Sequence, residues 1–291
     1  MEFSWAHPQR LVTSLGHEMS KKFKRLAARK LFDAIPAYNE TLYEFCARYV
    51  DRFNGDNNAN PEVNGEYGFL RNELNKLGAG VVFDVGSNIG NWASFALEIN
   101  PNIHLHCFEP SKATFDKLAQ KQWPSNVWLN NLGLGEVGGV MELNIVHEES
   151  GLNSVYVRQG VDSARPIRTE KVLMTTVDEY CHKNSIHQID LMKVDVEGHE
   201  LAVLKGTSLM LQKNRVRTIQ FEYGGCNIDA RVTLGDIWEF LEPHGFSLYK
   251  LYPEGPRHIE NYQQRFETFK YSNWVVIHED MRSGGPLGLD R

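Results

Sequence analysis

Apolar and polar positions follow two different rhythms along this chain. Through residue 53, in KKFKRLAARKLF and YNETLYEFCARYVDRF, apolar residues recur at intervals of three and four, the spacing of an amphipathic helix. Residues 54–65, NGDNNANPEVNG, concentrate turn formers and predict a linker between that helical segment and the remainder of the chain. GEYGFLRNELNKLG predicts one short helix. From Gly80 onward, short β-rich runs alternate with helical stretches. VVFDVG, IHLHCFE, NVWLNN, IDLMKVD and TIQFEY read as strands, and residues 91–99, 111–121, 177–184, 200–205 and 234–244 as helices. Such alternation is the signature of βαβ units on a parallel sheet.

Residues 134–175 interrupt the alternation with two further strand patterns, GGVMELNIV and EKVLMTTV, flanking a polar loop around residues 150–154. At the end, FSLYKLY and YSNWVVIHE come one after the other with no helix between them. A parallel crossover is then excluded, and the two are expected as antiparallel neighbours. The fold class is therefore α/β, a Rossmann-like doubly wound, mostly parallel sheet with an antiparallel last strand, plus an N-terminal helical segment. The expected division is residues 1–65 for that segment and linker, 66–280 for the main domain and 281–291 for a disordered tail. No internal repeat points to a solenoid.

Composition narrows the function classes. Thirty-one basic against 37 acidic residues give a formal charge of -6, which offers no general attraction to nucleic acid or anionic lipid. Neither a signal peptide nor an apolar run long enough to span a bilayer is present, so the expectation is a cytoplasmic protein without integral membrane association. Cys46, Cys107, Cys181 and Cys226 form no C-x-x-C pair, which argues against disulfides and structural zinc.

The chemistry is carried by strand ends. In FDVGSNIGNWASFAL, Asp84 closes the first strand, Gly86 permits a tight turn, and Gly90 lets the next helix pack closely. The helix N-terminus is expected to present amides to a ligand carboxylate. The spacing is D-x-G-x-x-x-G rather than G-x-G-x-x-G, which favours a nucleoside amino acid over a dinucleotide, with Asp84 accepting from its ammonium. Glu109 ends the second strand, 23 residues after Gly86, where an acid takes ribose hydroxyls. Asn131, after the third strand, is placed to contact an adenine. At the end of the fourth strand, Asp195 and Glu197 crowd the crevice where open α/β sheets bind ligands.

Taken in order, VVFDVGSNIG, CFEPS, NNLGLGE, TTVDEYC and IDLMKVDVEGHE resemble the FkbM-type methyltransferases, a branch of the class I S-adenosylmethionine-dependent enzymes. The resemblance covers roughly residues 66–278. It implies a seven-stranded sheet, S-adenosylmethionine as cofactor with S-adenosylhomocysteine as product, and methylation of a hydroxyl on a sugar, glycolipid or natural product. It assigns Asp84, Gly86, Asn88 and Gly90 to the cofactor loop, Glu109 to the ribose, and Asp195, Glu197, Gly198 and Glu200 to the D-x-E-G-x-E signature. His199 occupies the variable position of that signature.

Transfer to a hydroxyl needs a base within hydrogen-bond reach. Asp195, Glu197, His199 and, at the tip of the fifth strand, Glu222 are the candidates, and the carboxylates are preferred because a surface helix is the plainer place for His199. No metal ligand is assigned; a divalent cation between Asp195 and Glu222 is the alternative use of those oxygens. Trp92, Tyr156, Tyr223 and Tyr252 are candidate pocket aromatics. The partner is a small-molecule or carbohydrate acceptor, with no nucleic acid, and the oligomeric state is open. Two rivals remain, an NAD- or nucleotide-linked oxidoreductase or epimerase, and a non-catalytic cofactor-binding subunit.

Overall fold

The computed structural model describes residues 38–147, 151–158 and 166–281, with isolated helical positions between 24 and 33. Expectations for most of the N-terminal basic run, for part of the loop around residue 150 and for the tail beyond 281 lie outside the described residues. The chain divides into two compact units, Met1–Phe53 and Asn54–Arg291. In the first, α1 (Glu40–Asn54) is amphipathic, none of its residues is buried, and Tyr49 stacks on Phe53. Among the described residues no helix is long and apolar enough to cross a membrane.

The second unit is built on one large sheet. Its parallel part comprises β1 (Val81–Val85), β2 (His104–Phe108), β3 (Val127–Asn130), β7 (Ile189–Val194) and β8 (Val216–Tyr223). β9 (Phe246–Tyr252) and β11 (Ser272–His278) complete it, with β10 (Gly255–Ile259) on the edge, in the order β10-β9-β11-β8-β7-β1-β2-β3. β11 slots between β8 and β9, antiparallel to both. The expected antiparallel ending is therefore present, and the sheet has eight strands rather than seven. The extra one, β10, doubles back on β9 from a two-residue turn. Its GPRHI is half exposed and opens with Gly and Pro, so it gives no alternating signal.

Helices cover both faces. α2 (Glu66–Lys76), α3 (Asn91–Ile99) and α4 (Lys112–Gln120) press Phe69, Leu70, Trp92 and Leu118 onto one face, against Val82, Leu105 and Leu191. α5 (Val177–Lys183), α6 (Glu200–Lys205), α7 (Ser208–Gln212) and α9 (Leu234–Leu241) bury Tyr180, Val203, Leu211 and Ile237 on the other, against Phe83, Met192 and Phe221. Successive strand residues alternate between the two cores, as the pleat requires. The helix expected over residues 234–244 ends at Leu241 and tightens into a 3₁₀ turn, Glu242–His244, because Pro243 has no N–H to continue the ladder.

The insertion forms a separate three-stranded sheet of β4 (Gly133–Leu134), β6 (Arg168–Thr175) and β5 (Gly139–Ile145), with Leu143, Ile145, Val172 and Met174 as its own small core. Residues 54–65 belong to the second unit and are tied to the sheet. Asp56 forms a buried ion pair with Lys250, and the Asn57 amide donates to the Tyr271 carbonyl at 2.8 Å. All four cysteines are free.

Candidate active site

The carboxyl ends of β2, β1, β7 and β8 bring four loops to one edge of the sheet. In the first loop, Gly86 has φ +84°, and a side-chain carbon there would lie 1.9 Å from the Asp195 carbonyl, so only glycine lets this turn close against the end of β7. The loop amides are consumed within the protein. Gly86 and Ser87 donate to the Phe108 carbonyl, Asn88 to Glu109, Ile89 to the Asn88 side chain and Gly90 to the Ser87 carbonyl. Each amide from residue 86 to 90 thus has an acceptor within the protein. Gly90 caps α3 and packs against Leu118 and Trp123, in line with its expected structural part.

Asp84 differs from its expected ligand-facing role. It is fully buried, and neither carboxylate oxygen has a hydrogen-bond partner. Lys193, its register neighbour on β7, brings its ammonium to 3.9 Å from Asp84 and 2.8 Å from Asp195. Burial raises the Asp84 proton affinity and Lys193 opposes it. Asp84 thus works from below, as counter-ion to the lysine that holds Asp195.

Glu109 faces the cavity. Its two oxygens accept from the Asn88 amide at 3.0 Å and the Ser111 amide at 2.9 Å, one bond each, and burial pushes its carboxyl up to about 7. A carboxylate has about four acceptor positions, so two remain for donors such as vicinal hydroxyls. Asn131 spends its amide on the backbone carbonyls of Glu109 and Pro110, both at 2.9 Å, and so shapes the Glu109 turn rather than the cavity wall.

The D-x-E-G-x-E segment is a cradled turn. Glu197 has φ +52° and Gly198 φ +101°. Fully buried Glu200 accepts from the Val196 and Gly198 amides, both at 3.1 Å, which fixes the turn that projects Asp195 and Glu197. His199 is not on the surface. It is 7% exposed at the N-cap of α6, its Nδ1 meets the Tyr156 hydroxyl at 3.2 Å, and burial lowers its proton affinity.

Asp195, Glu197, Glu222 and His199 all line one cavity of about 450 Å³, which also contains Glu109, Asn88 and Gly86. Oxygens of Asp195, Glu197 and Glu222 lie within 4.8 Å of one another, a donor set that a hard divalent cation can use. Burial and the neighbouring carboxylates Asp195, Glu197 and Glu200 push Glu222 well above the usual carboxylate range.

Of three side chains from the insertion that reach the D-x-E-G-x-E turn, Ser154 and Arg158 were not signalled by the sequence, whereas Tyr156 is one of the candidate pocket aromatics. Ser154, Tyr156 and Arg158, at alternate positions, grip the turn: the Ser154 hydroxyl donates to the Glu197 carbonyl at 2.7 Å, Tyr156 reaches His199, and Arg158 bonds the Glu197 carboxylate at 2.9 Å. Their alternate S-x-Y-x-R spacing is the single local signal available. Of the candidate aromatics, Tyr156 is hydrogen-bonded to this machinery, and the Trp92 ring lies under the Lys193 ammonium at 6.0 Å. Tyr223 is fully buried on Glu267, and Tyr252 packs at Gly55 and Arg257. Trp92 is buried with an unpartnered indole N–H, beside an adjoining notch that contains Lys193 and Tyr271.

A family model, the Methyltransferase FkbM domain, matches residues 84–248. The hexuronic acid methyltransferase AglP of Haloferax volcanii is 29% identical over 146 residues, which cover 50% of this chain and 56% of that protein. The chain thus spans little more than half the length of that relative. The 31-O-demethyl-FK506 methyltransferase FkbM of Streptomyces tacrolimicus is 26% identical, with 62% of this chain and 77% of the relative covered. The 2-O-methyltransferase NoeI of Sinorhizobium fredii is 24% identical, covering 60% and 75%.

Proposed function

The chain belongs to the FkbM methyltransferase family, and from that premise we propose that it transfers the methyl group of S-adenosylmethionine to a hydroxyl of a sugar, glycolipid or related natural product. The observation that carries the reading is Glu109, a buried carboxylate on the cavity wall whose two oxygens each keep one free acceptor position. That arrangement suits a ribose, and the cavity volume lies within the range of small-ligand sites. Pro110, Gly133 and Leu134 beside Glu109 offer an apolar slot for the base. The notch with Lys193 and Trp92 adjoins Gly86 and Asp195, where the amino-acid end would lie.

When bound, the cofactor supplies a methyl group already activated by a sulfonium. The chain then has to align an acceptor oxygen with that carbon, keep water out, and take one proton. Glu222 is the proton acceptor in this reading. Lys193 neutralises Asp195 and Arg158 binds Glu197, whereas among the described residues no side-chain cation is bonded to Glu222, which lies within 4.8 Å of both carboxylates. Asp195 orients the hydroxyl from the end of β7. His199, neutral and held by Tyr156, bounds the pocket and is not assigned the proton.

The test is incubation with methyl-labelled S-adenosylmethionine and fractions of sugars, glycolipids and polyols, with mass spectrometry of the products. Label on an acceptor oxygen is expected, and Glu222→Gln should reduce its rate at least about 100-fold, the usual size of a general-base contribution. Label only on nitrogen or carbon would contradict O-methylation, and an unchanged rate in the variant would remove Glu222 from the chemistry.

A further inference from the structure

The net charge of the chain conceals a segregation. Residues 21–30, KKFKRLAARK, hold six of the 31 basic residues, and all 37 acidic residues lie elsewhere. Phe23, Ala27 and Leu31 recur at intervals of four, while Lys22, Arg25 and Arg29 recur at three and four, so a helix carries the two sets on different faces. Among the described residues of this run, Lys24, Arg25, Leu26, Arg29 and Lys30 are helical and exposed.

The helix α1 follows and supplies an apolar counterpart. Leu42, Cys46, Tyr49 and Phe53 stand at i, i+4, i+7 and i+11 with Tyr43 and Val50 beside them, and Glu40, Glu44, Arg48 and Asp51 take the opposite face. Tyr43 is 73%, Tyr49 64% and Phe53 68% exposed, and no residue of this helix is buried. Single exposed apolar side chains are ordinary; a continuous apolar row with three aromatics marks a binding face. A partner protein at that face leaves the six neighbouring cations without a purpose. An anionic lipid surface accounts for both features, because its phosphates attract lysine and arginine while aromatic rings settle between headgroups and acyl chains. Reversible anchoring needs two such signals, since either one alone holds weakly.

We propose that residues 21–53 bind the surface of an anionic lipid membrane, with the cations of the basic run at the headgroups and the apolar face of α1 at the acyl boundary. The inference goes beyond the methyl-transfer reading and stands on residues outside the cavity. Its consequence is local concentration. The second unit, joined to the first through the Phe53–Asn54 peptide bond, is held where the headgroups of glycolipid acceptors lie.

The experiment is cosedimentation of the full-length protein with vesicles of phosphatidylcholine alone and of phosphatidylcholine mixed with phosphatidylserine, at low and at physiological salt. Each basic residue near an anionic surface strengthens binding by roughly five-fold, so partition onto the mixed vesicles should be at least about ten-fold stronger and should fall as salt rises. Lys24→Gln, Arg25→Gln, Arg29→Gln and Lys30→Gln combined should weaken it by about 100-fold or more. Tyr49→Ser with Phe53→Ser should weaken it by about ten-fold or more, since it strips two aromatic rings from the apolar face. All six positions are exposed, so neither variant is expected to unfold the chain. Equal partition onto the two kinds of vesicle, absence of binding to both, or full binding by the glutamine variant overturns the proposal. RNA binding as tight as vesicle binding and undiminished in the serine variant would make the basic run a nucleic-acid contact and overturns it as well. So does a dimer in sedimentation equilibrium that the serine variant abolishes while its vesicle binding stays intact, because α1 would then face a second copy.

Discussion

Glu109 carries a conflict between its environment and its proposed work. Burial pushes its carboxyl up to about 7, although two backbone amides favour the charged form. Accepting two ribose hydroxyls requires the ionised form. A group with a raised value is increasingly protonated as pH falls through 7, so affinity for S-adenosylhomocysteine should fall by about ten-fold per pH unit on the acid side. Calorimetry across that range checks it, and a flat profile would exclude Glu109 from the ribose site. Glu109, Asp195, Glu197 and Glu222 were all legible because each stands where an apolar run stops, which is where a parallel strand delivers its last side chain. The roles of Lys193 and Arg158 were not. Lys193 sits inside an apolar strand and acquires its meaning from Asp84, its neighbour across the β1–β7 register, and Arg158 acquires its own from a turn 39 residues away. Asp84 was legible as a strand end, but the sequence could not reveal that its carboxylate is sealed beneath the loop.

Elements with a strong period were readable almost to the residue. α3 and α6 match their expected bounds, and β1, β2, β3 and β7 fall within the runs that predicted them. β4 has two residues and α7 and α8 (Cys226–Ala230) five each, too short for any periodicity to register, and all three form because their neighbours complete them. The loop between β1 and α3 makes a sharp test of how such elements combine. Gly86→Ala would force an alanine to φ +84° and drive its side chain into the Asp195 carbonyl. Strain of this kind costs of the order of 1–3 kcal/mol, and the displaced β7 end would carry Asp195 with it. Denaturant unfolding should register a loss of about that size, and calorimetry a loss of S-adenosylhomocysteine binding. A variant with normal stability and normal affinity would mean that the two loops do not depend on each other.

For the molecule as a whole, the pattern that announced a linker at residues 54–65 describes its composition correctly and not its attachment. Turn formers there lie against β9 and Tyr271, and the Asp56–Lys250 pair joins positions 194 residues apart in sequence. The apolar FSLYKLY run gave no sign that Lys250 would be buried, because its partner lies outside the strand. Lys250→Met should cost about 3 kcal/mol or more, since it leaves Asp56 buried without that cation, and denaturant unfolding of the full chain measures it; a change below about 0.5 kcal/mol would mean that other contacts carry the attachment. Anchored in this way, residues 59–67 reach the cavity and its adjoining notch through Ala59, Pro61 and Tyr67, so the attached stretch also helps to form the site.

The central claim is that this sheet edge is built for a nucleoside amino acid. The most direct test is titration calorimetry of the full-length protein with S-adenosylhomocysteine and, separately, with NAD. The account predicts saturable binding of S-adenosylhomocysteine, lost in Glu109→Ala, and none of NAD. Binding of NAD without S-adenosylhomocysteine would contradict it.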